Sequence, residues 1–290
     1  MATLINVCGA ARSGTTMLDL MLGNAPDAFS CGEVYAWFRP WRKHHFRAKC
    51  RCGQNPCPVW EKIKNVPESR FHVTVLKELG VNFVVDSSKE LCWLIDTQGW
   101  AIANDVQVFK LLLWKNPLNL AYSHWKRTGD LTAWRHEFVS YYGKFFETGL
   151  PFRSVYFNDL ASDPQRKLAE ICAVVGMPYF DGKERFWEKQ HHHLFGSHGT
   201  YEQVVSKKSR IRAAETFSSE FEEHIDTLSR QIAEDSRIQQ ILQTLQQAEV
   251  SLGDKVQASM VRRPYPLWYY ARRARQAFRR YFPERTSWVE

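Results

Sequence analysis

One stretch near the start constrains the fold more than any other. Residues 4–9 (Leu-Ile-Asn-Val-Cys-Gly) have the length and apolar content of a buried strand. Residues 10–16 are a loop of small residues, and Leu18, Met21 and Leu22 then fall on one face of a helix. The junction reads Gly9-Ala10-Ala11-Arg12-Ser13-Gly14-Thr15-Thr16. Backbone N–H groups at a helix start, aided by the helix dipole, attract an anion. The triphosphate-binding loop has Lys after its last glycine. Here Thr15 stands at that position and the cation, Arg12, lies inside the loop. The segment therefore predicts a phosphate-like ligand held by a variant cradle.

The rest of the chain repeats the alternation. Residues 82–85 form a second apolar run ending in Asp86-Ser87-Ser88, a helix-start signal that puts Lys89 in a first turn. Residues 106–114 form a third run and stop at Lys115-Asn116-Pro117, with Pro117 suited to a first helical turn. Residues 153–157 are the fourth, after which Asp163-Pro164 opens a helix stopped by Gly176 and Pro178. Strand and helix alternating in this way predict an α/β, P-loop-like three-layer fold: a central parallel sheet flanked by helices. One domain is expected over residues 1–255, with 36–75 as a Cys-containing insertion, and a basic amphipathic tail over 256–290. Residues 214–248 are polar and helix-prone.

Charge narrows the partners. Lys plus Arg is 39 and Asp plus Glu 31, a net +8. Eight Arg and two acids lie between Arg262 and Glu290, so the tail carries +6 and the remaining chain only +2. The body is therefore not expected to bind nucleic acid. No apolar run reaches the ~18 residues of a membrane span. A strand beginning at Leu4 leaves no room for a secretory leader, so the cytoplasm is the expected compartment.

The Arg12-Ser13-Gly14-Thr15-Thr16 pattern after an apolar strand resembles the sulfotransferases that use 3′-phosphoadenosine 5′-phosphosulfate (PAPS) and release adenosine 3′,5′-bisphosphate (PAP). In that family the loop holds the 5′-phosphosulfate, and Thr15 and Thr16 would donate hydroxyls to it. The family's 3′-phosphate site is a basic residue at a strand end and a Ser eight residues later, which here are Lys115 and Ser123. Where the family usually has Arg-Asp-Pro, this chain has Lys115-Asn116-Pro117; Lys keeps the charge and gives up the bidentate fork. A third match, residues 155–164 and the following helix, extends the resemblance over roughly residues 4–180. It supports the fold rather than the chemistry.

Sulfuryl transfer needs positioning, a base for the acceptor and cations near the spreading negative charge. Glu33, in Cys31-Gly32-Glu33, follows Arg12 by 21 residues. The tyrosylprotein sulfotransferases resemble this stretch, and the resemblance implies Glu33 as general base. Lys89 would face the sulfuryl group, and Arg12 would serve both donor binding and catalysis. His124 and the His191–His193 run are alternative bases. The resemblance implies no metal for the reaction. A carbohydrate or small-molecule hydroxyl or amine is the expected acceptor.

Two features lie outside this chemistry. Cys50, Cys52 and Cys57 form a C-x-C-x4-C cluster, with Cys31, His44 or His45 as a candidate fourth ligand. Zinc, free thiols and a disulfide all stay open, although C-x-C is shorter than the usual zinc spacing. In the tail, Leu267, Tyr270, Ala274, Phe278 and Tyr281 recur at helical spacing among five arginines. Such a helix suits peripheral contact with an anionic inner membrane surface, or packing on the chain itself. Rival readings are a P-loop kinase using ATP and Mg²⁺, with Asp86 on the metal, and a nucleotide-gated membrane-surface adaptor.

Overall fold

A computed structural model describes residues 1–209, 211, 216–251 and 265–281, with the backbone alone for 278–281. The chain begins β1 (Thr3–Cys8), α1 (Thr15–Leu22), β2 (Ala28–Gly32) and α2 (Tyr35–Phe38). It continues α3 (Pro58–Ile63), α4 (Phe71–Glu78), β3 (Phe83–Asp86), α5 (Leu91–Ile102) and β4 (Gln107–Trp114). Then come α6 (Pro117–Thr128), α7 (Ala133–Glu147), β5 (Arg153–Tyr156), α8 (Phe157–Ser162) and α9 (Pro164–Val175). The last are α10 (His198–Ser206), α11 (Ser219–Glu222), α12 (Ile225–Glu234), α13 (Ser236–Gln247) and α14 (Leu267–Tyr281).

The five strands form one parallel sheet in the order β2-β3-β1-β4-β5. Side chains alternate across it. Ile5 and Val7 of β1, with Phe109, Leu111 and Leu113 of β4, join α1 and α9 in one core. Cys8, Leu112 and Trp114 face the other way, into a core shared with α6, α7, α12 and α13. Leu4 and Val108 meet α3, α4 and α5 in a third cluster. Helices thus cover both faces, which gives the predicted three-layer architecture. Crossovers from β1 run to the β2 side and those from β4 to the β5 side. The crevice between β1 and β4 is therefore the switch point, where ligands bind in such sheets.

Both sheet edges carry one further backbone bridge. Leu194 bridges Gly32 at the end of β2, and Glu249 bridges Ser154 of β5. Ser154 N–H donates to Ala248 O at 2.8 Å, and Val250 N–H to Ser154 O at 3.0 Å.

Several sequence expectations change. β2 carries no clear sequence signal, because Ala-Phe-Ser-Cys-Gly has little β-branched character. Its five residues are nonetheless all buried. The stretch 214–248, expected only to be polar and helix-prone, holds α11, α12 and α13 among its described residues, Asp235 accepting from the N–H groups of Arg237 and Ile238 to start α13. Residues 212–215 lie outside the described residues, as do 252–264, where the expected tail boundary falls. No helix among the described residues is long and apolar enough to cross a membrane.

Candidate functional site

The loop after β1 is tightly built. Arg12 takes a left-handed φ of 68°, a strain typical of functional turns. Gly9 N–H donates to Tyr141 Oη at 3.1 Å, Ala10 N–H to Tyr142 Oη at 3.4 Å and Ala11 N–H to Glu137 Oε1 at 3.0 Å. Tyr142 in turn donates to Leu113 O at 2.7 Å, so α7 clamps the loop to β4. Ser13 is buried, and its hydroxyl donates to Ala10 O at 2.7 Å. The N–H groups of Thr15 and Thr16 open α1, where no earlier turn supplies a carbonyl. Gly14 has φ 98°, and a methyl there would lie 2.4 Å from the Phe157 ring. Only glycine lets the loop approach β5 and α8 this closely.

The second arm meets the first. Arg12 Nε donates to Ser123 Oγ at 2.6 Å. Ser123 lies in the second turn of α6, whose start is fixed by Asn116 accepting from Leu118 N–H and by Pro117. Lys115 directly follows β4, is 7% exposed, and holds its Nζ 4.3 Å from the Phe157 ring centroid. Phe157 therefore underlies both Gly14 and Lys115.

Glu33 and Lys89 form an ion pair, Lys89 Nζ donating to Glu33 Oε1. Burial works to raise the Glu33 pKa, but the charge and hydrogen bond of Lys89 outweigh it, with His193 and His45 assisting, and the carboxyl sits below its ordinary value. The segment holding Lys89 is neither helix nor strand: α5 starts only at Leu91, so Lys89 is not in a first helical turn as expected. Ser88 N–H donates to Asp86 Oδ1 at 2.8 Å, an Asx turn that ends β3. Glu33 is held at its backbone by Leu194, which accepts from Glu33 N–H at 3.0 Å and donates to Cys31 O at 3.1 Å. Beneath the pair, Asp19 Oδ2 accepts from Ser87 Oγ at 2.6 Å and lies 3.0 Å from His193 Nε2.

Arg12, Gly14, Thr15, Thr16, Glu33, Lys89, Lys115 and Ser123 all line one cleft of about 1190 Å³. Ser13 does not; it braces the loop from within. The cleft also takes in residues that the motifs did not signal. Tyr35, Trp41, Arg42, His44 and His45 come from α2 and the insertion, and Glu137 and Tyr141 from α7. Burial, with His44 and Arg42 nearby, lowers the His45 pKa to about 4, so its ring is neutral at pH 7.

The alternative bases have other partners. His124 Nε2 lies 3.3 Å from Glu137 Oε2. His191 Nε2 is 2.8 Å from Phe186 O, His193 meets Asp19, and His192 Nδ1 is 3.2 Å from Cys57 Sγ. Asp86, the metal ligand of the kinase reading, is fully buried and faces His72 Nε2 at 2.9 Å and Trp93 Nε1 at 2.7 Å. Its oxygens are engaged away from the cleft.

The cysteine cluster gathers a different fourth member than the sequence suggested. His192, not Cys31, His44 or His45, joins Cys50, Cys52 and Cys57. The tail also differs. Trp268 and Tyr269 of α14 pack on the chain, while Leu267, Tyr270 and Ala274 of the expected apolar stripe are exposed. Arg273 pairs with Asp96 at 2.9 Å, Arg272 with Glu90, and Trp268 Nε1 donates to Glu147 at 2.7 Å. The helix is docked on its own domain through a mixed face, the aromatic rings of Trp268 and Tyr269 beside Arg272 and Arg273.

No protein-family model and no curated protein sequence matches the chain. Among solved structures, it is similar to the sulfotransferase domain from the curacin biosynthetic pathway, at 14% identity and a TM-score of 0.49 over 79% of this chain and 98% of that one. It is similar also to the sulfotransferase domain of the Synechococcus PCC 7002 olefin synthase (13%, 0.44, over 81% and 95%). A third is mouse sulfotransferase SULT7A1 complexed with PAP (10%, 0.41, over 85% and 89%).

Proposed function

We propose that this chain is a cytoplasmic sulfotransferase. It moves a sulfuryl group from PAPS to a hydroxyl or amine of a carbohydrate or small-molecule acceptor. The observation that carries the reading is convergence: the Arg12 loop, the Lys115/Ser123 arm and the Glu33–Lys89 pair share one cleft. A bisphosphorylated nucleotide needs two anion sites, and the Arg12–Ser123 hydrogen bond, which joins the loop to the α6 arm, supports that reading. A triphosphate with Mg²⁺ needs a free carboxylate instead, and Asp86 is engaged elsewhere.

On this reading the loop N–H groups, Arg12 and the Thr15 and Thr16 hydroxyls hold the 5′-phosphosulfate. Lys115 and Ser123 hold the 3′-phosphate. Glu33 takes the acceptor proton as the acceptor atom attacks sulfur and the bond from sulfur to the phosphate oxygen breaks. Lys89 then meets the charge developing on the transferred oxygens, which loosens its hold on Glu33 and strengthens that base. Arg12 compensates the leaving phosphate. The aromatic and basic wall of Tyr35, Trp41, Arg42 and His44 suits a polar acceptor with apolar faces, such as a sugar. Peripheral membrane contact, in this scheme, runs through the exposed Leu267 and Tyr270.

The test is calorimetric titration with PAP, and separately with ATP plus Mg²⁺. Metal-free binding of PAP, weakened by Lys115→Met, is expected. Binding of ATP only with Mg²⁺ would overturn the donor assignment. Unchanged cellular function on alanine substitution of both Glu33 and Lys89 would favour the adaptor.

A further inference from the structure

The insertion brings three thiols and an imidazole together from distant parts of the chain. Cys50, Cys52 and Cys57 lie on the loop leading into α3, and His192 lies 135 residues beyond Cys57. One ligand atom from each residue falls within 4.8 Å of every other. His192 Nδ1 is 3.2 Å from Cys57 Sγ and 3.9 Å from Cys50 Sγ. A tetrahedral zinc ion, with Zn–S near 2.3 Å and Zn–N near 2.0 Å, sets its ligand atoms about 3.5–3.8 Å apart. The four groups stand close to that spacing. All seven cysteines of the chain are free thiols.

We propose that Cys50, Cys52, Cys57 and His192 bind one structural Zn²⁺. Three sulfurs and one nitrogen make a soft donor set that selects zinc over Mg²⁺ or Ca²⁺. Four protein ligands close the coordination sphere, so the ion takes no part in turnover. Within the short C-x-C segment Cys52 N–H donates to Cys50 Sγ at 3.4 Å, which fixes the direction of that sulfur. Outer contacts orient the ligands further. Trp60 Nε1 donates to His192 O at 2.8 Å, and Gln190 Nε2 to Cys52 O at 3.1 Å.

The ion would pin the insertion to the strap at residues 190–196. The same strap bonds both Cys31 and Glu33 through Leu194, and His193 reaches Asp19 of α1. Zinc therefore acts on Glu33 by position alone, through Leu194, which lies two residues along from the ligand His192. This holds whatever ligand the cleft takes.

The test uses the full chain, produced without a metal-affinity tag and without chelator. Elemental analysis is expected to find one zinc per chain, with seven thiols titrating in denaturant plus chelator. Protein produced in cobalt-supplemented medium should show thiolate-to-cobalt charge transfer and the red d–d bands of a tetrahedral site. His192→Cys should keep the metal and shift those bands, whereas Cys52→Ser should lose it. Seven thiols with neither bound zinc nor a tetrahedral cobalt spectrum would overturn the proposal in favour of a thiol cluster. Five titrating thiols would overturn it in favour of a disulfide. PAP titration of the same samples is a separate readout, so failure of the donor reading leaves the metal count untouched.

Discussion

Gly14→Ala tests whether the loop is as tightly seated as its geometry implies. The residue sits at φ 98°, and an added Cβ would lie 2.4 Å and 2.6 Å from two carbons of the Phe157 ring. The backbone alone costs about 1–2 kcal/mol for an L side chain with positive φ. Carbon contacts settle near 3.5–4.0 Å, so the ring must retreat by about 1 Å. Phe157 packs against the core beneath β1 and β4, and overpacking of this kind costs about 1–3 kcal/mol. The sum is about 2–5 kcal/mol, or a Tm lowered by about 3–8 °C at the scale of a domain this size. The moving ring also carries the seat of Lys115, whose Nζ lies 4.3 Å from its centroid. PAP affinity should therefore fall about tenfold, which is about 1.4 kcal/mol. Gly143→Ala is the control: it lies within α7 with open space around it, and should be neutral or stabilising by up to about 1 kcal/mol. Adding Phe157→Leu to Gly14→Ala should recover the overlap cost but not the backbone cost. Thermal unfolding and PAP calorimetry on the four proteins decide it. A Gly14→Ala protein with the parent Tm and the parent PAP affinity would refute the reasoning.

Three other substitutions probe the pair and the buried carboxylate. Glu33→Gln should leave PAP binding intact and cut sulfuryl transfer about 10²–10⁴-fold in a labelled-donor assay, the usual worth of a positioned base; full turnover would remove Glu33 from the reaction. Because Lys89 outweighs burial and holds the Glu33 pKa down, the acid limb of kcat/KM should lie below the ordinary carboxylate range. Lys89→Met should move that limb to higher pH, measured as a pH–rate profile, and an unmoved limb would mean Glu33 does not set it. Burial raises the Asp86 pKa, but hydrogen bonds from His72, Ser88 and Trp93 lower it further, for a net depression. Its contribution is therefore present above the unfolded-state pKa near 3.9 and lost as pH falls through the folded value. Asp86→Asn should cost about 3–5 kcal/mol at pH 7 by denaturant unfolding, with a smaller difference from the parent in acid.

The fold is legible where the sequence is periodic. β1, β4, α6 and α9 follow apolar runs and explicit signals, the helix starts at Pro117 and Asp163 and the stop at Gly176. β2 escapes such a reading because burial between β3 and the strap, not β propensity, makes it a strand. Arg12, Glu33, Lys89, Lys115 and Ser123 can be picked out one by one, since each sits near a strand end or in the helix after it. Their shared cleft cannot, because it depends on sheet order. Spacing misleads over His192: a ligand 135 residues away leaves no local pattern, while Cys31 and the histidines at 44 and 45 are merely near in sequence. The tail stripe misleads for a related reason. Ion pairs of Arg272 with Glu90 and Arg273 with Asp96, together with the packing of Trp268 and Tyr269, turn the helix so that the expected stripe faces outward.

The two bridges at the sheet's margins bear on how the chain is made. β2 is completed by Leu194 and β5 by Glu249, both supplied by the last third of the sequence. A nascent chain that has emerged only through α9 holds five strands with both margins bare, each a row of backbone donors and acceptors ready for another molecule. Assembly from the N-terminus thus passes through a stage of sheet-to-sheet stickiness that ends only as the C-terminal segments arrive. Two backbone contacts that lend no side chain to the reaction, at Leu194 and Glu249, consequently bear on how much of the protein reaches a soluble state.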